Sequence, residues 1–81
     1  MYYYVYILRS INSPSQIYVG HTSNLKQRLS EHNRGTTTHT EKYKPWEIVT
    51  YIAFKDEMKA VEFEKYLKSG SGRSFREKRL A

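Results

Sequence analysis

Residues 2–8 read Tyr-Tyr-Tyr-Val-Tyr-Ile-Leu, and this run decides how the rest of the chain must be arranged. Aromatic and β-branched residues, which favour strands, occupy both alternating sets of positions. A strand with apolar side chains on both faces is typical of a position at the centre of a sheet, where both faces are covered. We therefore predict that this run is the central strand of a small sheet flanked by helices.

Two further segments have strand character. Residues 17–20 resume the pattern after a turn-forming cluster at 12–15, so they are predicted to pair with the central strand as an antiparallel hairpin. A third strand is predicted over residues 46–54, where four apolar side chains share one parity, as on one face of a strand. These four are Trp46, Ile48, Ile52 and Phe54.

A helix and a loop are predicted between the second and third strands. The helix covers residues 25–33, which lie between three capping candidates at 22–24 and Gly35. Residues 34–45 are polar, with four threonines and no periodicity. We predict that they form an exposed, mobile loop.

A second helix is predicted from an Asp56 cap to about Lys68, where Gly70 and Gly72 end it. A short basic helix is predicted over residues 74–80. The element order is then β-β-α-β-α, with or without the final helix. The predicted fold class is α/β of the α+β type, with a three-stranded, mainly antiparallel sheet whose first strand is central.

The chain is basic, with 14 Lys and Arg residues against eight Asp and Glu and a formal charge of +6. No linker or repeat divides it, so we expect one domain over residues 1–81, with a basic tail over about 70–81. Such a charge attracts polyanions, and we expect nucleic acid, DNA ahead of RNA, as the partner. A membrane surface is disfavoured because no basic helix with a bulky apolar face stands out. A protein partner and the oligomeric state are left open.

The absence of cysteine excludes disulfides and thiolate metal sites. No stretch approaches the roughly 20 apolar residues of a membrane-spanning helix. The apolar N-terminus lacks the preceding basic region of a signal peptide. We therefore expect a cytoplasmic location, since that compartment is reducing.

A strand-terminal tyrosine and two helical residues form the first candidate site. Tyr18 is followed closely by Gly20, which permits close approach of backbone or ligand. Arg28 and His32 are four residues apart, so they share one face of a helix. A purely structural interpretation is that Arg28 covers the edge of the core and His32 favours the helix C-terminus. Their joint spacing from Tyr18 favours a functional site.

Glu64 interrupts the apolar stripe of the second helix, which Ala60, Phe63 and Leu67 mark. A carboxylate on a packing face is unfavourable unless it is paired or bound to a cation. Two interpretations remain open. One is an internal ion pair, for example with Arg28. The other is a Mg²⁺ site, since that ion commonly uses only one or two carboxylates besides water and phosphate oxygens.

Tyr6 and Tyr18 are predicted to lie close together across the hairpin. A free tyrosine has a pKa near 10, so it is a poor base at neutral pH. A neighbouring Arg28 and a metal ion would favour the phenolate. In that form a tyrosine takes a proton from an attacking water.

Taken in order, Tyr4-Val5-Tyr6, Tyr18-Val19-Gly20, Arg28, His32 and Glu64 resemble the motif of the GIY-YIG nuclease superfamily. The resemblance covers nearly the whole chain. Its strongest part, over residues 18–33, reads Tyr-Val-Gly-His-Thr-Ser-Asn-Leu-Lys-Gln-Arg-Leu-Ser-Glu-His-Asn. Residues 60–70 resemble a stand-alone small bacterial branch of unknown function.

The resemblance implies a role for each matched residue. Tyr6 and Tyr18 would orient or deprotonate the nucleophilic water. Arg28 would stabilise charge on the phosphoryl oxygens, and His32 would contact the phosphate or the proton network. Glu64 would hold one Mg²⁺ or Mn²⁺ ion, which polarises the phosphate. We assign further phosphate contacts to Gly20, His21, Lys26 and Arg73.

Two features depart from the family pattern. Tyr4 stands where the motif has its first glycine. No asparagine follows Asn33, although many active relatives have one late in the domain, and Ser69, Ser71 or Arg73 are candidates to replace it. The resemblance predicts a metal-dependent endonuclease acting on DNA. The alternatives are a non-catalytic nucleic-acid-binding module and an accessory protein recruited by a partner.

Overall fold

The first strand, β1 (Tyr3–Ser10), is the most deeply buried element of the chain, with Val5–Leu8 no more than 2% exposed. In this computed structural model, which describes all 81 residues, β1 pairs with two neighbours. Both β2 (Ile17–Thr22) and β3 (Trp46–Phe54) run antiparallel to it. The strand order β2-β1-β3 confirms the predicted sheet and the central position of its first strand.

One face of the sheet lies beneath two helices, α2 (Glu57–Lys68) and α3 (Gly70–Arg79). Alternate β1 side chains pack there against α2 and β2. The buried cluster consists of Val5, Ile7, Val19, Ala60 and Leu67. Since full burial of one aliphatic side chain contributes about 1.5–3 kcal/mol, this cluster is a main source of stability in so small a domain.

The opposite face lies beneath α1 (Leu25–Arg34), with a short 3-10 helix (Glu41–Tyr43) beside it. Tyr6 and Leu8 of β1 form the buried cluster here together with Trp46. The two leucines of α1 pack against that cluster. None of the helices has the length and apolar character needed to cross a membrane.

Local capping chemistry determines where α1 begins and ends. The Asn24 side chain accepts a hydrogen bond from the backbone N–H of Gln27 at 3.0 Å. Gly35 has a φ of 75°, a left-handed conformation that favours glycine. The predicted helix is confirmed, and it extends one residue further, to Arg34.

A β-bulge changes the direction of side chains along β3. The register of β1 against β3 slips between Ile7 and Leu8, which leaves Val49 as the extra residue. Trp46 therefore packs beneath α1, whereas Phe54 packs beneath α2. The strand itself is confirmed, but the prediction of one shared apolar face was wrong.

The junction of α2 and α3 differs from the prediction that Gly70 and Gly72 end α2. Both glycines belong to α3, because α2 ends at Lys68 and Ser69 caps the next helix. The Ser69 hydroxyl accepts a hydrogen bond from the backbone N–H of Gly72 at 3.2 Å. A Cβ on Gly72 would lie 1.6 Å from the Tyr66 carbonyl oxygen, so the close helix contact requires glycine. The final helix thus starts four residues earlier than predicted.

The segment between α1 and β3 is more ordered than the predicted exposed loop. Thr40 is fully buried, and its carbonyl accepts a hydrogen bond from the Trp46 indole N–H at 2.8 Å. The side-chain amide of Asn33 donates to the Trp46 carbonyl at 3.1 Å. The prediction of an exposed loop was wrong at Thr40, because hydrogen bonds satisfy its polar groups inside the protein.

Candidate active site

β1 and α1 bring Tyr6 and His32 into contact inside the protein. The Tyr6 hydroxyl oxygen lies 2.9 Å from Nε2 of His32, and the two residues are 2% and 0% exposed. On the other side of the ring, Nδ1 lies 2.7 Å from Oγ1 of Thr40 and 3.0 Å from Oγ1 of Thr37. A chain of hydrogen bonds therefore runs from Tyr6 through the imidazole to the segment after α1.

Burial keeps both members of this pair neutral. It raises the pKa of Tyr6 to about 12, and the nearby Arg28 guanidinium opposes this only in part. Burial also lowers the pKa of His32 below its usual value, with the Arg28 charge acting in the same direction. Arg28 does favour the Tyr6 phenolate, as predicted, but burial outweighs it and the phenol is protonated at neutral pH.

The neutral state of the pair defines how its protons are arranged. A neutral Tyr6 donates its O–H to Nε2, so the single N–H proton of the neutral imidazole lies on Nδ1, which donates it to Thr40. The Thr40 hydroxyl in turn donates to the Thr37 carbonyl at 3.5 Å. In this arrangement the His32 ring uses one nitrogen as acceptor and one as donor, so no buried ring nitrogen lacks a partner.

Tyr18 and Gly20 of β2 complete the same face. The Tyr18 ring centroid lies 4.9 Å from that of His32 and 6.3 Å from that of Tyr6. Gly20 is the partner of Tyr6 in the β1–β2 ladder, and a Cβ there would lie 2.6 Å from the Tyr6 hydroxyl oxygen. The missing side chain therefore makes room for this hydroxyl. Tyr18 is half-buried, so it is the more accessible of the two tyrosines.

Arg28 lies on α1, one turn before His32. Its Nη1 donates to Oε1 of Glu31 at 2.9 Å, and 35% of its side chain is exposed. Hydrogen bonding to Glu31, and then to Tyr6, raises the pKa of Arg28 above its usual value. A permanently charged and accessible guanidinium next to the tyrosines is suited to bind a phosphate group.

Glu64 lies beneath the other face of the sheet, on α2, where its carboxylate contacts an imidazole and an ammonium group. Nδ1 of His21 contacts one carboxylate oxygen, and Nζ of Lys68 lies 2.5 Å from the other. Burial raises the pKa of Glu64, but the hydrogen bonds from Lys68 and His21 outweigh it and lower the pKa overall. Glu64 is therefore ionised at neutral pH. An ion pair, one of the two interpretations of Glu64, is present with Lys68, and His21 contacts the other oxygen, while Arg28 pairs with Glu31.

The two parts of the site meet at β2, which is an edge strand. Gly20 faces Tyr6, and because successive strand residues point to opposite faces, the next residue, His21, points to Glu64. The Glu64 charge is also one of the causes that raise the pKa of Tyr6. The residues on the two faces are thus electrostatically coupled around one edge of the sheet.

The donor chemistry at Glu64 fits a loosely held hard cation. No group of three or more His, Cys, Asp or Glu side chains is arranged to hold a metal ion. A single ionised carboxylate fits Mg²⁺, which commonly retains several waters and takes further oxygens from phosphate. The Lys68 side chain is 51% exposed on a flexible stem, so it is free to leave the carboxylate when a cation binds.

Two of the predicted phosphate-binding residues lie outside this cluster. Lys26 is exposed on α1, two residues before Arg28. Arg73 lies on α3 and lines a groove of about 440 Å³ together with Arg9 and Arg76. Since no other predicted site residue lines this groove, the structure does not bring Arg73 to the site.

Three residues that support the site were not singled out from the sequence: Glu31, Thr40 and Lys68. Glu31 follows Arg28 by three positions and Lys68 follows Glu64 by four, so helical pairing rules contain a signal for both. Thr40 has no such signal, because it lies in an aperiodic segment and binds His32 only through the tertiary fold.

Comparison with known proteins places these observations in a family. The GIY-YIG catalytic domain family matches residues 2–78. The structure-specific endonuclease subunit slx1 of Talaromyces marneffei is 38% identical over 69 residues, which cover 78% of this chain and 18% of that protein. The corresponding SLX1 homolog of Giardia intestinalis is 34% identical over 65 residues, or 75% of this chain and 18% of that protein.

A solved structure is similar over most of its length. The UPF0213 protein BH0048 from Bacillus halodurans, determined by NMR in solution, matches with a TM-score of 0.56 and 28% sequence identity. The match covers 95% of this chain and 81% of that one. By contrast, the chain spans about a fifth of the length of the curated relatives it matches.

Proposed function

This chain belongs to the GIY-YIG catalytic domain family, and from that premise we propose that it is an endonuclease that hydrolyses DNA phosphodiester bonds with one divalent metal ion. The observation that carries the proposal is the contact of Tyr6, Tyr18 and His32 beside the Arg28 guanidinium. These residues come from β1, β2 and α1. A hydrogen-bonded proton pathway next to a fixed positive charge suits the attack of water on a phosphate.

Arg28 and Tyr18 are the residues that we assign to direct contact with the substrate, since both are accessible. The guanidinium would hold phosphoryl oxygens and stabilise the negative charge that increases on them in the transition state. Glu31 keeps the guanidinium oriented through the 2.9 Å ion pair. The Tyr18 hydroxyl would orient the attacking water.

Tyr6 and His32 would carry the proton away from that water. With a pKa of about 12, Tyr6 does not act as a free phenolate at neutral pH. Its oxygen would instead accept the water proton beside Gly20, where no side chain covers the hydroxyl, while its own proton passes to Nε2 of His32, 2.9 Å away. The imidazolium so formed keeps its Nδ1–H bonded to Thr40. The water proton thus enters the relay, and the phenol proton ends on the imidazole.

Glu64 would hold the Mg²⁺ or Mn²⁺ ion. When bound, this ion supplies a Lewis acid that polarises the phosphate and stabilises the leaving oxygen. His21 and Lys68, released from the carboxylate, would then contact phosphate oxygens, while Gly20 lets the DNA backbone approach. Lys26 and Arg73 would contact the DNA backbone further from the reacting bond, as expected for exposed cations.

We also propose that the chain acts on structured DNA and together with a protein partner. The curated relatives are called structure-specific endonuclease subunits. We infer from that name that this chain also cleaves DNA according to its structure and acts together with another protein. The basic charge of +6 supports a polyanionic substrate.

Cleavage of a branched or nicked DNA in Mg²⁺ or Mn²⁺ tests the proposal. Glu64→Gln and Arg28→Ala are each expected to lower the cleavage rate by about 10²-fold or more, because each removes transition-state charge stabilisation. Glu62→Gln and Arg34→Ala change exposed residues on the same two helices and serve as matched controls that retain activity. If both site variants retain the wild-type rate, the activity is a contaminant and the proposal is wrong.

The engagement of both Glu64 oxygens by neighbouring side chains favours a second candidate, a DNA-binding domain without hydrolysis. In that case His21 and Lys68 occupy the carboxylate permanently, and the charged surface holds only phosphates. The second candidate predicts salt-sensitive DNA binding that needs no metal and survives Glu64→Gln. Metal-dependent cleavage that Glu64→Gln abolishes excludes it.

A further inference from the structure

Three tyrosines continue from the candidate site towards solvent on the face that carries Tyr6. Tyr4 lies two residues before Tyr6, so it points to the same face of β1. Its ring packs edge-to-face on that of Tyr51, the β3 partner of Tyr6, with centroids 5.9 Å apart. The ring of Tyr2 follows, 6.4 Å from that of Tyr4. We call Tyr2, Tyr4 and Tyr51 the tyrosine row.

Two rings of the tyrosine row are exposed and the Tyr4 ring between them is half-buried, whereas Tyr6 is buried. Tyr51 is 55% exposed and Tyr2 is 43% exposed. The β3 partner of Tyr4 is Ala53, an exposed residue with a small side chain. The Lys55 ammonium lies 5.1 Å from the centroid of the Tyr2 ring. The row therefore combines accessible ring surfaces with a cation at its outer end.

The composition of this surface indicates what binds there. Aromatic rings beside cations are the means by which proteins hold unpaired nucleotides, because a base stacks on the ring and its phosphate contacts the cation. A base inside a duplex is already stacked on both sides, so it has no free face to offer. Tyr4 also stands where the family motif has glycine, a residue without a ring, so the row is a property of this chain.

We propose that the tyrosine row binds the unpaired bases of a DNA strand next to the phosphate that lies at Arg28. The substrate is then a junction between duplex and single-stranded DNA. The duplex phosphates contact the basic surface, and the unpaired bases stack on Tyr4 and Tyr51. This inference rests on the proposed function, since it takes the site around Tyr6 and Arg28 as the position of the reacting phosphate.

Binding to two DNA molecules of equal charge tests the inference without any metal ion. Both carry the same duplex and the same short overhang, but in one the overhang consists of abasic sites. Fluorescence anisotropy in EDTA is expected to show about tenfold tighter binding of the overhang that has bases, given the usual contribution of a stacked base. Equal affinity of the wild-type protein for the two molecules would overturn the inference.

Variants identify the rings responsible. The double variant Tyr4→Thr, Tyr51→Thr keeps strand-forming residues but removes two rings, so the tenfold difference should disappear. Tyr4→Phe, Tyr51→Phe keeps the rings and should keep the difference. Tyr66→Ala removes a 42% exposed ring from α2 and should also keep it. Circular dichroism verifies the fold of each variant, and a difference that persists in the folded threonine variant contradicts the inference.

The same measurement separates failure of this inference from failure of the proposed function. Glu64→Gln is expected to abolish cleavage while the tenfold preference for the overhang with bases persists, because the carboxylate lies beneath the other face of the sheet. Absence of cleavage by the wild-type protein would contradict only the nuclease. Loss of the base preference from a wild-type protein that still cleaves would contradict only the tyrosine row.

Discussion

The two halves of the site differ in how they are held. Beneath α1, Tyr6 and His32 are buried and neutral, and bonds to Thr40 continue the network. Beneath α2, Glu64 is charged and its partner Lys68 lies half in solvent. The first half is held within the fold, since all of its buried polar side-chain atoms have partners in the chain. The second half consists of ion pairs that a metal ion or a phosphate can replace.

This difference separates two requirements of a hydrolytic site. The proton pathway must be in place before the substrate arrives, because misplaced groups raise the barrier. Under the proposed function, the Glu64 carboxylate would instead exchange its partners for the metal ion in every catalytic cycle. Variants of the α1 half should therefore change both stability and activity, whereas variants of the α2 half should change mainly activity or metal affinity, with a smaller effect on stability.

The largest expected effect is that of Tyr6→Phe. Loss of the hydroxyl breaks the proton relay and should lower the cleavage rate by about 10²–10⁴-fold. It also leaves Nε2 of His32 without a partner, which should lower the free energy of unfolding by about 1–3 kcal/mol. Single-turnover cleavage and urea denaturation measure the two effects. A variant that is destabilised but cleaves at the wild-type rate would show that the relay is only structural.

Gly20→Ala tests the close packing within the α1 half. The new Cβ would lie 2.6 Å from the Tyr6 hydroxyl oxygen, so Tyr6 must move. We expect a loss of about 1–3 kcal/mol of stability, as for overpacked cores, and a fall in the cleavage rate. Gly70→Ala, where a Cβ would meet nothing within 4 Å, is the matched control. Equal effects of the two substitutions would contradict the packing argument.

Acidic pH should weaken the α1 half first. Since the pKa of His32 is lowered in the folded protein, the unfolded chain binds this proton more readily. Stability should therefore fall as the pH decreases from about 6.5 towards the lower pKa of folded His32. The cleavage rate should fall by at most tenfold per pH unit below that pKa, because a protonated imidazole cannot accept the Tyr6 proton.

Glu64 should make the stability of the fold depend on pH as well, at more acidic pH than His32 does. Its lowered pKa means that ion pairing stabilises the fold above the usual carboxyl range and that this contribution is lost on further acidification. Thermal unfolding across pH, compared with a folded His32→Gln protein that lacks this imidazole, separates the His32 effect from the rest. A stability that stays constant between pH 7 and pH 5 would contradict the buried neutral His32.

The smallest expected effect is that of Lys68→Ala. Removing this cation frees one Glu64 oxygen, so the affinity for Mn²⁺ should rise a few-fold, as expected from a lost exposed ion pair of about 0.2–1 kcal/mol. Lys65→Ala removes an exposed lysine from the same helix and should leave the affinity unchanged. Titration calorimetry measures both. Weaker Mn²⁺ binding in Lys68→Ala would mean that Lys68 orients the carboxylate and does not compete with the metal.

The order of elements was predictable because it depends on local signals. Three signals are visible in the sequence and have their predicted effect: the two-sided apolar run of β1, the Asp56 cap and the glycine at 35. For α1 the sequence offered three capping candidates at 22–24, of which Asn24 is the cap. The β3 bulge was not predictable, because the slip depends on how β1 and β3 pack. The role of Gly72 was also hidden, since its close contact with the Tyr66 carbonyl exists only in the folded chain.

For the site too, contacts that follow from local spacing were predictable, whereas contacts that depend on the tertiary fold were not. Helical spacing predicted that Arg28 and His32 share a face, and the hairpin predicted that Tyr6 and Tyr18 are close. Thr40 could not be predicted, because its contact with His32 spans an aperiodic segment. Arg73 has the right charge for a phosphate contact, yet α3 places it in a separate groove. Sequence spacing does not predict towards which part of the molecule α3 directs this side chain.

The most direct test of the account is an NMR titration with Mn²⁺, whose paramagnetism broadens signals of nearby nuclei. If the two halves form one site around β2, broadening should appear first at Glu64 and His21 and then at Tyr18 and Arg28. It should vanish in a folded Glu64→Gln protein and persist in Glu62→Gln. Broadening confined to the acidic side chains of other surfaces, with Tyr18 and Arg28 unaffected, would contradict a shared site.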